Sequence, residues 1–572
     1  MFNIYRTFIM LVSGRYYRVK RFFCLLLVLM VCACAFAQNS VPRVNKTLPF
    51  SKGINLTVWM EYSRMNTLMY GRKDFENIKS LGVEVIRLPV WFEIWNDGAP
   101  GYKVSDECWQ LLDNAVDWCE ELGMSIIIDF HNDCNGTSKT DPKIEQVLLK
   151  VWPQVAERYK NRGEFILYEI MNEPHFSSGN IDSDIKKWGK IQGNVLKAIR
   201  EIDQKHYIVV GGGDWNSIGS MMKLPDYKDE KLVYNFHDYS PFLFTHQGAG
   251  WTDIKRLKNI PFPYSKEKMP PLPKNPTSAE KWYYQNYKKD SSEETLVAPL
   301  NKAVEFANKR NACLMCNEFG VYMPYADVEE RANWYRLKLG WMDGRGICRI
   351  SWDYMGDIGL FVSSAETRFP EDLNVPVVKS MGYKIPDGKS ESWMSRAKKT
   401  GDYTLYKDGD VGLLRTHASG DIKGSFTYIE RKGEKPVIFL NQINRYGELS
   451  FLFGETSDFS ALKDEGAKLE FFIKSSDKNL DLSVYFRDDE SKIFPWRAST
   501  SVKASSFKAD GQWHKVSIPL KSLNDVGGWS SVTDWKNGEG KFSWQLVDSL
   551  VFQNNDKDST EGFYLKDIRI VK

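Results

Sequence analysis

The stretch Phe165-Ile166-Leu167-Tyr168-Glu169-Ile170-Met171-Asn172-Glu173-Pro174 is an apolar run that ends in a carboxylate. Cys313-Leu314-Met315-Cys316-Asn317-Glu318-Phe319-Gly320 ends the same way. Each predicts a short buried strand whose last residue is a glutamate, followed at once by a chain-breaker, Pro174 or Gly320. A charge is expensive to bury unless it is paired or used. Two glutamates at the same end of two buried strands therefore point to one shared site.

Working outward, strand and helix patterns alternate from about residue 50 to 385. Strands are expected at 53–58, 83–89, 124–131, 165–173, 207–213, 232–237, 313–318 and 346–352. Helical periodicity falls between them, as at Trp109, Leu112, Val116 and Cys119 within 106–122. Residues 374–381 close the series. Eight such repeats argue for an α/β fold, a (β/α)8 TIM barrel over residues 46–390. An open doubly wound sheet competes poorly, because no Gly-rich phosphate loop follows the first strand.

In such a barrel the active residues sit at the C-terminal strand ends. The residues there are Arg87, His131, Glu173, His237 with Tyr239, Glu318 and Trp352. Seven polar or aromatic groups on six strands make a site. Paired carboxylates are the equipment for cleaving a glycosidic bond. The segments Arg87-Leu88-Pro89, Asp129-Phe130-His131, Asn172-Glu173-Pro174, His237-Asp238-Tyr239, Asn317-Glu318-Phe319-Gly320 and Ser351-Trp352-Asp353-Tyr354, in this order, resemble glycoside hydrolase family 5. The resemblance covers about residues 46 to 390, and Phe242 to Gly248 is similar to the endoglucanase-like branch.

The resemblance implies a retaining enzyme with Glu173 as acid/base and Glu318 as nucleophile. It further implies that Arg87 and Tyr239 hold Glu318, and that Asn172 binds the sugar 2-hydroxyl. His131 and His237 would bind hydroxyls or tune Glu173, and Trp352 would floor the subsite at the cleavage point. Trp59, Glu61, Trp91 and Asn132 are further candidate sugar contacts. The expected substrate is a β-1,4-glucan attacked internally. β-Mannan, another β-glucan, exo action, or a catalytically dead binding protein on the same scaffold are the alternatives. No cofactor or metal is expected.

The connection from Ser240 to about Glu293 is long and rich in aromatics, including Trp282, Tyr283, Tyr284 and Tyr287. It is expected to wall the substrate cleft. After a linker at 391–410, short alternating segments from 411 to 572 predict an all-β, jelly-roll-like sandwich. It resembles the carbohydrate-binding modules of secreted glycosidases, with Trp496, Trp513, Trp529, Trp535 and Trp544 as stacking candidates.

Residues 1–37 read as a secretory signal peptide, basic at Arg15 to Arg21, apolar at Phe22 to Phe36, with cleavage after Ala37. Residues 38–45 form a short N-terminal linker. Val31-Cys32-Ala33-Cys34 also permits lipid anchoring. The segment holds five positive charges and no acid, so removing it takes the formal net charge from +3 to −2. The basicity belongs to the leader, and nothing points to nucleic acid. No later segment reaches membrane-spanning length. A secreted, periplasmic or cell-surface monomer acting on polysaccharide is expected. Cys108 and Cys119 lie about 16 Å apart along one helix and cannot bridge. Cys313-x-x-Cys316 sits inside a strand, where it reads as core rather than as a redox or metal motif.

Overall fold

The computed structural model describes residues 41–61, 69–131, 139–364, 367–387, 392–419, 426–429, 437–440, 445–488, 496–530, 534–556 and 561–572. The expected signal peptide lies outside the described residues. Eight parallel strands close into a barrel: β1 (Lys52–Asn55), β2 (Val85–Val90), β3 (Ser125–Phe130), β4 (Ile166–Glu169), β5 (Tyr207–Gly211), β6 (Leu232–His237), β7 (Cys313–Glu318) and β8 (Cys348–Ser351). Closure is direct, with Gly53 of β1 paired to both Val85 and Ile350. Among the described residues no helix is long and apolar enough to cross a membrane.

The strand interiors follow the sequence, but several ends differ. β4 stops at Glu169, so Glu173 lies four residues beyond the strand rather than at its last position. The reason is pairing: Glu169 is the last β4 residue matched to both Asp129 and Val209. Helix signals are well kept. Ser105 caps the helix Asp106–Glu121 by accepting from the Cys108 amide, and Leu111, Leu112, Ala115, Val116 and Cys119 bury one face. The described cysteines are all buried and unbridged. The barrel's N-terminal end is plugged by apolar side chains that include Leu48, Phe50, Val85, Ile127, Leu167, Val209, Val233, Met315 and Ile350.

Two expected linkers are corrected. In the stretch 38–45, Arg43 donates to the Gly344 carbonyl at 2.8 Å and Val44 to that of Arg345 at 3.0 Å, which ties the chain to the barrel. In the stretch 391–410, residues form the helix Trp393–Thr400 and the strand Tyr403–Tyr406, which pairs with Phe563–Val571. Trp393 drives this, since its ring packs against Tyr403, Phe453 and Phe459.

The C-terminal domain is two antiparallel sheets facing one another. Phe552 of one sheet, edge-on to its neighbour Phe451, meets Phe471 of the other at 5.2 Å. Of the tryptophans proposed for stacking, Trp496 is buried and Trp544 packs against Phe486 and Phe542. Trp535 is 57% exposed. Trp513 is 6.3 Å from Tyr564, with Lys474 and Lys566 over its ring.

Candidate active site

The site grows from Arg87 in the middle of β2. Its guanidinium donates from Nε and Nη2 to Glu169 (2.7 and 3.0 Å), from Nη2 to Asn172 Oδ1 (2.7 Å), and from Nη1 to Asn55 Oδ1 (2.9 Å) and Glu318 Oε1 (2.7 Å). Asp129 Oδ2 lies 2.9 Å from Nη2. Burial opposes the cation, but Asp129, Glu169 and Glu318 outweigh it and hold it charged. One fully buried arginine thus collects carboxylates from β3, β4 and β7.

A β-bulge brings the nucleophile candidate into this network. β6 and β7 pair in register to Phe236 and Cys316, then His237 pairs with Glu318, so Asn317 is an extra residue on β7. In a regular strand Asn317 and Glu318 would point to opposite faces. Here both turn inward, Asn317 Nδ2 to Glu169 at 2.7 Å and Glu318 to Arg87. Gly320 follows because a Cβ there would meet Ile358 Cγ2 at 2.2 Å and the Trp352 carbonyl oxygen at 2.6 Å.

The second carboxylate approaches from the β4 side. His237 Nδ1 lies 2.6 Å from Glu173 Oε1 and 3.4 Å from Glu318 Oε2. One oxygen of each glutamate and one nitrogen of His237 all fall within 4.8 Å of one another. His237 Nε2 is buried without a partner, so its proton belongs on Nδ1, between the two acids. Burial lowers the His237 pKa to about 4 and keeps the ring neutral. Tyr239 donates its hydroxyl to Glu318 Oε2 at 3.0 Å.

The electrostatics of the pair differ. Burial raises Glu173 to about 7, against the pull of His131, His175 and Arg87. Burial also raises Glu318 above the ordinary carboxylate value, while His237 and Arg87 draw it down. Glu318 is the more tightly held, with Arg87 on one oxygen and Tyr239 on the other. Glu173 keeps a side chain 24% exposed and faces the opening. Such a pair can supply a proton from one member and a fixed negative oxygen from the other.

The remaining expected residues gather around these. His131 is bonded to Asp129 at 2.7 Å, lies 3.4 Å from Asn172 Nδ2, and stacks on Trp352 at 5.7 Å. Burial lowers His131 to about 4 and raises Asp129 to about 7. All eight expected site residues therefore converge on one mouth. Of the further sugar-contact candidates, Trp59 is core, edge-on to Tyr70 and Phe75. Glu61 is buried, and Trp91 donates to Glu93. Asn132 lies outside the described residues.

Sequence reading does not single out Glu169, Asn55, Asn235, His175 or Trp215. Glu169 had a signal: two residues after Leu167, it shares that residue's inward face. Trp215, 49% exposed, stacks on His175, whose Nδ1 bonds the Glu173 carbonyl. The 240–293 connection is folded, with helices Phe242–Thr245 and Ser278–Asp290. A run of ring contacts, Tyr239 to His246 to Trp251 to Tyr322, leads from the site along it.

A closed parallel barrel with a carboxylate pair at the C-terminal mouth defines a glycoside hydrolase. The chain belongs to glycosyl hydrolase family 5, whose Cellulase profile matches residues 49–357. A second profile, Carbohydrate binding domain 30, matches residues 441–572. Over 323 residues the chain is 30% identical to Endoglucanase C of Acetivibrio thermocellus, covering 53% of this chain and 91% of that protein. It is 29% identical over 341 residues to Endoglucanase 3 of Fibrobacter succinogenes, covering 56% of this chain and only 52% of that protein's own length. A structure of Thermotoga maritima Cel5A with cellobiose overlaps 58% of this chain and 96% of its own, at 24% identity and TM-score 0.48.

Proposed function

We propose that the chain is a retaining, endo-acting β-1,4-glucanase, with Glu173 as acid/base and Glu318 as nucleophile. The observation that carries this is the His237 imidazole lying between two carboxyl groups whose oxygens come within 4.8 Å. That spacing suits direct attack rather than an intervening water, since retaining pairs stand roughly 5–5.5 Å apart and inverting pairs roughly 6.5–9.5 Å. Glu173, protonated below about pH 7, gives its proton to the leaving oxygen. Glu318, aimed by Arg87 and Tyr239, attacks the anomeric carbon and forms a glycosyl ester. Esterification removes the Glu318 charge, which eases ionisation of Glu173, and Glu173 then deprotonates the incoming water. Asn172 and His131 meet sugar hydroxyls, and Trp352 stacks under the ring at the cleavage point.

The endoglucanase names of the relatives support glucan as substrate, and the carbohydrate-binding family of the C-terminal domain supports a polymeric one. The experiment is hydrolysis of cellulose, mixed-linkage glucan, xyloglucan and mannan, with product sizing and anomer detection by proton NMR. β-Anomeric products of mixed length from glucans are expected. α-Anomeric first products would overturn retention, and mannan as the preferred polymer would overturn the glucan reading. We further infer that the chain is exported as a monomer after cleavage at Ala37. N-terminal sequencing and light scattering of the exported protein test both points.

A further inference from the structure

The sandwich touches the catalytic half of the barrel through Arg415, the first residue of the strand Arg415–Ser419. Its guanidinium grips Asp74 of the barrel helix Arg72–Ser80, with Nη1 2.6 Å from Oδ2 and Nη2 2.5 Å from Oδ1. Nη1 also donates to the Met69 carbonyl at 3.3 Å. Asp74 is itself 2% exposed, and its Oδ2 accepts from the Gly71 amide at 3.0 Å, closing the helix's first turn. One side chain from the C-terminal domain therefore fastens both ends of the segment Met69–Asp74.

That segment carries Tyr70, whose buried ring lies edge-on to Trp59 at 5.7 Å and 6.2 Å from Tyr354. Tyr354 ends the run Trp352-Asp353-Tyr354, and Asp353 accepts the Thr57 hydroxyl from the connection after β1. Packed rings thus lead from the segment that Arg415 fastens to Tyr354, two residues along the chain from Trp352. An exposed ion pair would be worth little. A carboxylate as buried as Asp74 is another matter, because losing its partner strands the charge and frees the segment it caps.

We propose that Arg415 is a positioning residue of the active site. Through Asp74, Tyr70 and Tyr354 the sandwich holds Trp352 and the wall beside it in their sugar-binding geometry, in addition to anything the sandwich binds by itself. This rests on Trp352 being part of the sugar site. It predicts a defect on substrates too short to reach the sandwich, and a defect in binding rather than in chemistry, because neither acid is touched.

The test uses the full chain and a soluble chromogenic cello-oligosaccharide, comparing Arg415→Met, Arg415→Lys and Asp74→Asn. Arg415→Met is expected to raise KM about tenfold while kcat stays within about twofold, given how steeply binding depends on placement of contact groups. Arg415→Lys should recover most of the loss. Asp74→Asn keeps an acceptor for Gly71 and removes the paired charge, so it should reproduce the Arg415→Met defect and carries the test alone if Arg415→Met does not fold. Unchanged KM in the folded variants, or equal loss of kcat and KM terms without rescue by lysine, overturns the proposal. Failure of the wild type to cleave the oligosaccharide refutes the proposed activity instead, so the two failures are distinguishable.

Discussion

The two ends of the barrel are built from the same strands and could hardly be less alike. At the N-terminal end Val85, Ile127, Leu167, Val233 and Met315 form an apolar plug. Two residues further along each of those strands stand Arg87, Asp129, Glu169, Asn235 and Asn317, all buried and all polar. A period of two keeps both sets on the inward face. One step up the barrel therefore exchanges a layer that stabilises by excluding water for a layer that must satisfy itself with ion pairs and hydrogen bonds. The lower layer tolerates any well-packed apolar set. The upper layer has one workable arrangement, and the acids above it inherit their orientation from it.

The contrast is broken most severely at its top. Glu318→Ala is expected to lower kcat/KM on the order of 10⁴-fold with circular dichroism and Tm near wild type, since it removes the proposed nucleophile without stranding another acid. Activity within tenfold of wild type would sink the mechanism. Arg87→Met attacks the polar layer itself. It leaves Asp129, Glu169 and Glu318 without their cation, and a loss of roughly 3–5 kcal/mol in denaturant unfolding is expected. Equal stability would mean that the acids share the site without needing the arginine.

Leu167→Ala, in the plug, should cost about 2–4 kcal/mol of stability through cavity formation, yet leave kcat/KM of the folded enzyme within about twofold. A large kinetic defect there would show that the two layers are not separable. The smallest effect is on pH. The Glu173 carboxyl is raised from an unfolded value of about 4.3 to about 7, so the native state holds its proton more tightly. Its contribution to stability is present below about pH 4.3 and is lost as pH rises through about 7. Glu173→Gln, uncharged throughout, should gain Tm relative to wild type at pH 8 and not at pH 4. In the wild type, kcat should fall above about pH 7 as the acid loses its proton.

The sequence displayed the strands and the acids at their ends because apolar runs and chain-breakers are local signals. It displayed the two histidines because each closes such a run, whereas Arg87 stands inside β2 with Leu88, Pro89 and Val90 buried after it. It hid Glu169, which sits inside the run and is tolerated only because Arg87 arrives from 82 residues away. It also misplaced Glu173 at a strand end, since strand length depends on what the neighbours can pair. The β7 bulge is equally silent: Asn317-Glu318 reads as strand, and only the stagger against His237 turns both side chains inward. The 391–410 stretch does not read as helix and strand because Trp393 finds its partners some 60 residues downstream, and the 38–45 stretch does not read as fixed because Arg43 and Val44 bond to Gly344 and Arg345, about 300 residues away.

The clustering of acids around Arg87 has one more consequence. A single guanidinium faces the two carboxylates of Glu169 and Glu318, and both imidazoles are uncharged. The resting cavity is therefore short of positive charge. An intact sugar is neutral and gains little from that imbalance. A ring losing its leaving group becomes an oxocarbenium ion, and that species fills the deficit. The pocket is in this sense a receptor for a cation that exists only at the top of the barrier, which is the condition for lowering it.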